Sequence, residues 1–228
     1  MLSARYFVLN PKRFLQRNPV PVSCHLSIVG NRFQQQLRTS STNQEQKVYE
    51  LRIYTVKPNR FREYLDLTKE EFHLRTAHSK LLGYWVSEIG GLNQVVHIWE
   101  YDSLTHRATV RANLANDSVW ISRYLSRVVD MFDTMTNSAL TLLPNTEIAL
   151  PTYKGVYELQ TMSLRGAPSA WSNSLVSYVK ACNSIDIGPT KLVGSWQSLL
   201  GPKQMVALLW FHPSPDSCVT LKHVIDSL

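Results

Sequence analysis

The sequence predicts an α+β protein built from two ferredoxin-like units in tandem, the second of them incomplete. Two observations carry this expectation, an internal repeat and a shared order of elements within each copy. Val48-Tyr-Glu-Leu51 recurs 108 residues later as Val156-Tyr-Glu-Leu159. Lys80-Leu-Leu-Gly-Tyr-Trp85 recurs as Lys191-Leu-Val-Gly-Ser-Trp196 and Ile98-Trp99 as Leu209-Trp210, both offset by 111. A period of that length exceeds a solenoid repeat and marks a duplicated domain.

Each copy reads β-α-β-β-α-β, as follows for the first. Tyr49, Leu51 and Ile53 alternate with Glu50, Arg52 and Tyr54, the period-two pattern of a half-buried strand. Lys57-Pro58-Asn59 stops it, and Phe61, Tyr64, Leu65 and Phe72 give helical spacing across 60–78. Tyr84 to Ile89 and Gln94 to Tyr101 are strands of a hairpin turned at Gly90-Gly91. Asp102-Ser103 supplies N-cap chemistry for a helix carrying Leu104, Ala108, Arg111 and Ala115. Further helix is expected through 119–136, with Ala139 to Leu143 as the closing strand. The second copy should stop short of that closing strand, leaving the tail from Cys218 to form a helix over the sheet. These readings divide the chain into 1–44, 45–150 and 151–228.

With 44% hydrophobic and 18% charged residues, the chain has a globular rather than a disordered composition. Its net charge of +7 resembles that of a nucleic-acid binder until the charge is located. Residues 1–44 hold Arg5, Lys12, Arg13, Arg17, Arg32 and Arg38 and no acid, so the remainder carries a net charge of only +1. A nucleic-acid surface would place its charge on the folded part, so that class is set aside. An Arg-rich, acid-free leader with Ser and Thr is the make-up of a mitochondrial presequence. Its processing point is expected near residues 38–41, the alternative being a basic tail on a cytosolic protein. Cys24, Cys182 and Cys218 show no C-x-x-C spacing, which argues against a disulfide framework or a zinc site. No apolar run is long enough to cross a membrane as a helix.

The landmark residues resemble the NIPSNAP family, and its third subgroup in particular. The resemblance rests on Tyr49-Glu-Leu-Arg-Ile-Tyr54 with Lys57-Pro58 and on His73-Leu-Arg-Thr-Ala-His78 with Gly83-Tyr-Trp85. His97-Ile-Trp-Glu-Tyr101 with His106, Arg107 and Arg111 completes it. It implies tandem dimeric α+β-barrel domains, in which two ferredoxin-like sheets close face to face, here in a short or truncated form. It further implies a mitochondrial or cytosolic protein with no established catalytic activity, working as an adaptor or sensor or in vesicle traffic. Remote relatives with this barrel include small oxygenases and isomerases, so the fold alone does not decide the function.

Several residues remain as candidate chemistry. His73 and His78 are five apart, about 140° around a helix, which is wrong for a helical metal pair; no metal or cofactor is expected. Projected onto the second copy, His73, Arg75, His78 and His97 become Ser184, Asp186, Pro189 and Leu208, while Lys, Gly and Trp persist. The fold therefore does not require these polar residues. His97 shares a strand face with Val95 and Trp99, where it is either a satisfied core residue or the wall of a barrel-interior site. Arg75, His78, Trp85, His97 and Trp99 are the candidate ligand-pocket residues. His106, Arg107 and Arg111 form either a solvated helix face or a patch for an anion or an acidic partner.

The leading expectation is a non-enzymatic mitochondrial protein acting through protein contacts and as a homo-oligomer. Peripheral association with a membrane is compatible with it. The alternative is a barrel-interior binder of a small apolar ligand, or an oxygenase- or isomerase-like enzyme. A closed, packed barrel would count against that alternative; an open pocket of several hundred Å³ holding His97 and Arg75 would favour it.

Overall fold

In the computed structural model, residues 3–9 and 47–226 are described. The chain runs β1 (Ser3–Leu9), β2 (Val48–Val56), α1 (Phe61–Thr76), β3 (Lys80–Ile89), β4 (Gln94–Tyr101) and α2 (Leu104–Asn116). It continues through α3 (Ser118–Trp120), a π-helical turn (Ile121–Leu125), α4 (Ser126–Val128) and a 3-10 turn (Val129–Met131) into β5 (Phe132–Leu142). The second copy comprises β6 (Val156–Ser163), α5 (Pro168–Asn183), β7 (Lys191–Leu200), β8 (Met205–His212) and α6 (Asp216–Ile225).

Strands β2 to β8 make one open antiparallel sheet in the order β3-β4-β2-β5-β7-β8-β6. The copies are joined where β5 pairs with β7, so they share a sheet. The backbone of β1 pairs with β6 along Ser3 to Leu9 and with β3 from Phe7 to Leu9, lying between the two edges of that sheet and closing the order into a barrel. Apart from Ser3–Leu9, the expected presequence and its processing point lie outside the described residues.

The first strand shows how the faces are used. Tyr49 and Leu51 point into the barrel with Trp85, Val96, Ile98 and Leu140, and meet Tyr157, Leu159, Trp196, Leu209 and Phe211 of the second copy. The repeated Tyr and Trp make reciprocal contacts across the copies: Tyr49 lies 6.0 Å from Trp196 and Trp85 lies 5.3 Å from Tyr157. Glu50, Tyr54 and Val56 point the other way and are buried as well, under the helices. The half-buried strand expected from alternation is thus buried on both faces. Two further cores lie outside the barrel. One packs Tyr64, Leu67, Phe72, Val95, Trp99 and Leu114 under α1 and α2; the other packs Leu175, Val179, Leu208, Trp210 and Leu221 under α5 and α6. Each large apolar side chain so buried contributes roughly 1.5–3 kcal/mol.

The fourth strand corrects the sequence reading. Helical structure stops at Met131, and β5 begins at Phe132 rather than Ala139. Its first half is largely exposed, so it lacks the apolar alternation that reveals a strand. It pairs by β-branched residues instead, Thr134 donating to Thr55 Oγ1 at 3.0 Å. The expected N-cap is present: Ser103 Oγ accepts from the His106 backbone N–H at 3.0 Å. The expected tail helix is α6, with Cys218 and Leu221 buried against the sheet.

Candidate functional site

The barrel interior is filled with side chains, and the cavity lies on the other face of the sheet. It has a volume of about 290 Å³ and is covered by α1, α2 and the π-helical turn. Strand register builds its floor. Arg52 on β2 pairs with His97 on β4, which pairs with Tyr84 on β3, so the three form one row on the helix-facing side. Tyr54 and Trp99 extend that floor; Tyr64, Phe72 and Arg75 come from α1, Arg111 and Leu114 from α2, and Trp120 and Tyr124 from the following turns. Exposed Arg111, Ala115, Leu125 and Met135 stand at its solvent side. A π-helical turn widens the backbone by one residue, and such turns recur at functional sites. Here it brings Tyr124 against Trp120, rings stacked with centroids 4.7 Å apart.

The lining holds three arginines and no carboxylate. Arg75 lies over the Trp99 ring, 3.8 Å from its centroid, and donates to Ser79 Oγ at 2.6 Å and to the Tyr101 hydroxyl at 3.0 Å. Tyr101 in turn donates to Glu50, whose other oxygen accepts from Arg107 at 2.6 Å and Asn137 at 2.8 Å. Glu50 therefore anchors Arg75 through a tyrosine, without contacting it. Burial draws the Arg75 pKa below the ordinary guanidinium value, with contact to Tyr101 acting in the opposite direction. Arg52 sits over the Tyr54 ring at 5.0 Å, and its buried Nε has no partner.

His97 accepts from Trp99 Nε1–H on Nδ1 at 2.6 Å, which places its proton on Nε2. That Nε2 is buried and unpartnered at the cavity wall. Burial, then the charges of Arg52 and Arg75, holds the His97 pKa well below the ordinary imidazole value, so the ring is neutral. Tyr64 and Tyr84 share a hydrogen bond of 2.6 Å, and Tyr124 bonds Thr68 at 2.8 Å. Burial raises all three tyrosines well above their ordinary pKa, leaving neutral hydroxyls.

The sequence candidates separate here. Arg75, His97, Trp99 and Arg111 come together in the cavity. His97 faces the helices and not the barrel interior, because Val96 and Ile98 take the inward positions of β4. Trp85 belongs to the barrel core. His78 is outside the cavity, where its Nε2 meets Asp117 Oδ2 at 3.0 Å, and Asp117 caps the following turn by accepting from Val119 and Trp120. His106 pairs with Asp102 at 3.1 Å and Arg107 with Glu50, so these two and Arg111 do not form one patch. Arg52, Tyr54 and Tyr84 escaped the sequence reading. Alternation places Arg52 and Tyr54 on one face of β2, which a half-buried strand would leave to solvent and which helices cover here.

Comparison with known proteins gives this chain its relatives. Residues 49–146 match the NIPSNAP family model. The chain is 38% identical over 177 residues to "Protein NipSnap homolog 3A" of Pongo abelii, covering 77% of this chain and 71% of that protein. The Homo sapiens homolog 3A matches with the same identity and coverage, again at 38% over 177 residues. This chain belongs to the NIPSNAP family. Within it, the similarity is to the NipSnap3-like subgroup. A putative monooxygenase from Lactobacillus acidophilus superposes with a TM-score of 0.54 over 77% of this chain and 81% of its own length, at 13% identity. That likeness shows the fold alone. Among the described residues of this NIPSNAP protein, no helix is long and apolar enough to cross a membrane.

The same row of positions in the second copy reads Gln160, Leu208 and Ser195. Elsewhere in the second copy a cavity of about 320 Å³ is lined by Met162, Leu164, Trp171, Ser174, Leu175 and Tyr178, with no cation and none of that row. Among the described residues the two copies thus share the fold, and the arginine-lined cavity lies in the first.

Proposed function

We propose that this NIPSNAP protein binds a small anionic molecule with an aromatic or apolar body in the cavity of its first copy. The observation that carries this reading is three arginines and a buried, unused His97 Nε2–H around one cavity whose lining has no acid. An anion supplies the missing acceptor and the missing counter-charge, and the aromatic walls accept its body. The alternative read from the sequence is a small apolar ligand; the three arginines favour an anionic one. The volume is at the small end of the roughly 300–1,000 Å³ typical of ligand sites. Binding fits the histidine better than proton transfer does, since its lone pair is engaged by Trp99 and its proton already sits on Nε2. Titration calorimetry with 2-naphthoate tests the reading. We expect saturable binding, at least tenfold weaker for uncharged 2-naphthalenemethanol and lost in Arg75→Met. Equal affinity for the acid and the alcohol would refute it.

A second reading, contact with protein partners or a second copy, is supported by the hairpin tips. Ile89 and Leu92 of the first copy and Leu199 and Leu200 of the second are large, apolar and exposed. Light scattering of wild type against Leu92→Lys/Leu200→Lys tests it, and an unchanged mass would count against it. The acid-free leader supports a mitochondrial address for either role; import that survives deletion of residues 1–44 would refute the address.

A further inference from the structure

We infer that Glu158, His212 and Cys218 form a binding site in the second copy for a borderline transition-metal dication of the zinc type. Each offers one ligand atom, these atoms lie within 4.8 Å of one another, and all three residues are buried. Different elements supply them. Glu158 on β6 pairs with Trp210 on β8, and Val156 with His212, so the carboxylate and the imidazole are diagonal neighbours on one face of adjacent strands. Cys218, in the first turn of α6, covers that face.

The distances accommodate an ion. Glu158 Oε2 and His212 Nε2 are 3.3 Å apart, and both ring nitrogens of fully buried His212 lack a hydrogen bond. Zn–N and Zn–O bonds of about 2.0–2.1 Å at a tetrahedral angle separate the two ligand atoms by roughly 3.3 Å. Gln160 Nε2 donates to the other carboxylate oxygen, Oε1, at 3.0 Å and holds the group in orientation. One thiol, one imidazole and one carboxylate are a donor set suited to Zn²⁺ rather than Ca²⁺ or Mg²⁺. Sequence spacing offered no hint of it, because Glu158 lies 54 residues before His212 and the step of six from His212 to Cys218 matches no metal motif.

The first copy shows what this site replaces. The positions equivalent to Glu158, His212 and Cys218 are Glu50, Tyr101 and Arg107, where a guanidinium neutralises the buried carboxylate at 2.6 Å. In the second copy the carboxylate stays buried, and His212 and Cys218, both able to bind a metal, stand where the first copy has Tyr101 and Arg107. Binding of a dication releases the thiol proton.

The test uses the full chain, stripped with chelator under reductant and titrated with Co²⁺, then Zn²⁺. We expect one equivalent of Co²⁺ with a thiolate charge-transfer band, displaced by Zn²⁺. Cys218→Ala should abolish the band and weaken Zn²⁺ at least tenfold, Glu158→Gln should weaken it while keeping the band, and Cys24→Ala/Cys182→Ala should retain both. Should Cys218→Ala not fold, zinc-edge absorption on Cys24→Ala/Cys182→Ala decides: one sulfur scatterer supports the site, and none overturns it. Absence of stoichiometric metal, or a band that persists in folded Cys218→Ala, overturns it as well.

Discussion

Replacing Gly83 by alanine probes the landmark that both copies preserve. An ideal Cβ at Gly83 would stand 2.2 Å from Cζ2 and 2.3 Å from Cη2 of Trp85. Carbons in contact sit at about 3.5–4.0 Å, so the indole would have to withdraw by about 1.3 Å. It has nowhere to go. Trp85 is 2% exposed and packs in the barrel core against Tyr157 of the other copy. Overpacking of this kind costs about 1–3 kcal/mol, and the size of the overlap puts Gly83→Ala near about 3 kcal/mol. For a chain of this size that lowers Tm by roughly 6–12 °C. Urea unfolding of wild type, Gly83→Ala, Trp85→Leu and the double variant measures both the cost and its cause. The glycine substitution should be nearly silent once the indole is gone, with a coupling of about 2 kcal/mol between the sites. A Gly83→Ala protein within about 0.5 kcal/mol of wild type, or simple additivity with Trp85→Leu, would refute the reasoning. Gly194, with a Cβ 2.5 Å from Cη2 of Trp196, should behave alike.

Arg107→Met removes the guanidinium from a carboxylate that is 1% exposed and keeps its hydrogen bonds from Asn137 and Tyr101. Because Arg107 itself reaches solvent, we expect a loss of about 2–3 kcal/mol in urea unfolding. For pH, burial pushes Glu50 upward, but Arg107, Arg52 and Asn137 outweigh it and leave its pKa below the reference of 4.5. The stability it contributes is present above that reference and is lost as pH falls through the lower folded value. His97 is held below 6.5, so the unfolded chain takes up its proton first and stability should begin to fall as pH drops under 6.5. Midpoints measured from about pH 7 down to about pH 2 should show both steps, and His97→Leu should remove only the upper one. Deleting residues 3–9 exposes the edges of β3 and β6; amide exchange there should quicken and self-association appear, and unchanged protection would contradict the pairing of β1.

Periodicity and repetition alone established the tandem α+β units, the strands around Tyr49 and Trp99, the cap at Ser103 and the structural status of Gly83 and Trp85. These are local or self-similar signals: alternation, helical spacing, a cap residue, a Gly-x-Trp that survives duplication. They also marked Arg75 and His97 as features of the first copy. Local signals could not say which side of β4 faces the barrel. A period of two separates the faces of a strand without naming what covers each, and here both are covered. Only strand pairing joined Arg52 and Tyr84 to His97, and only the docking of α1 and α2 set that row under helices in a lining without a carboxylate. The trio of Glu158, His212 and Cys218 likewise exists only once β8 pairs with β6 and α6 folds over them, since the distant Glu158 meets the other two only through the sheet.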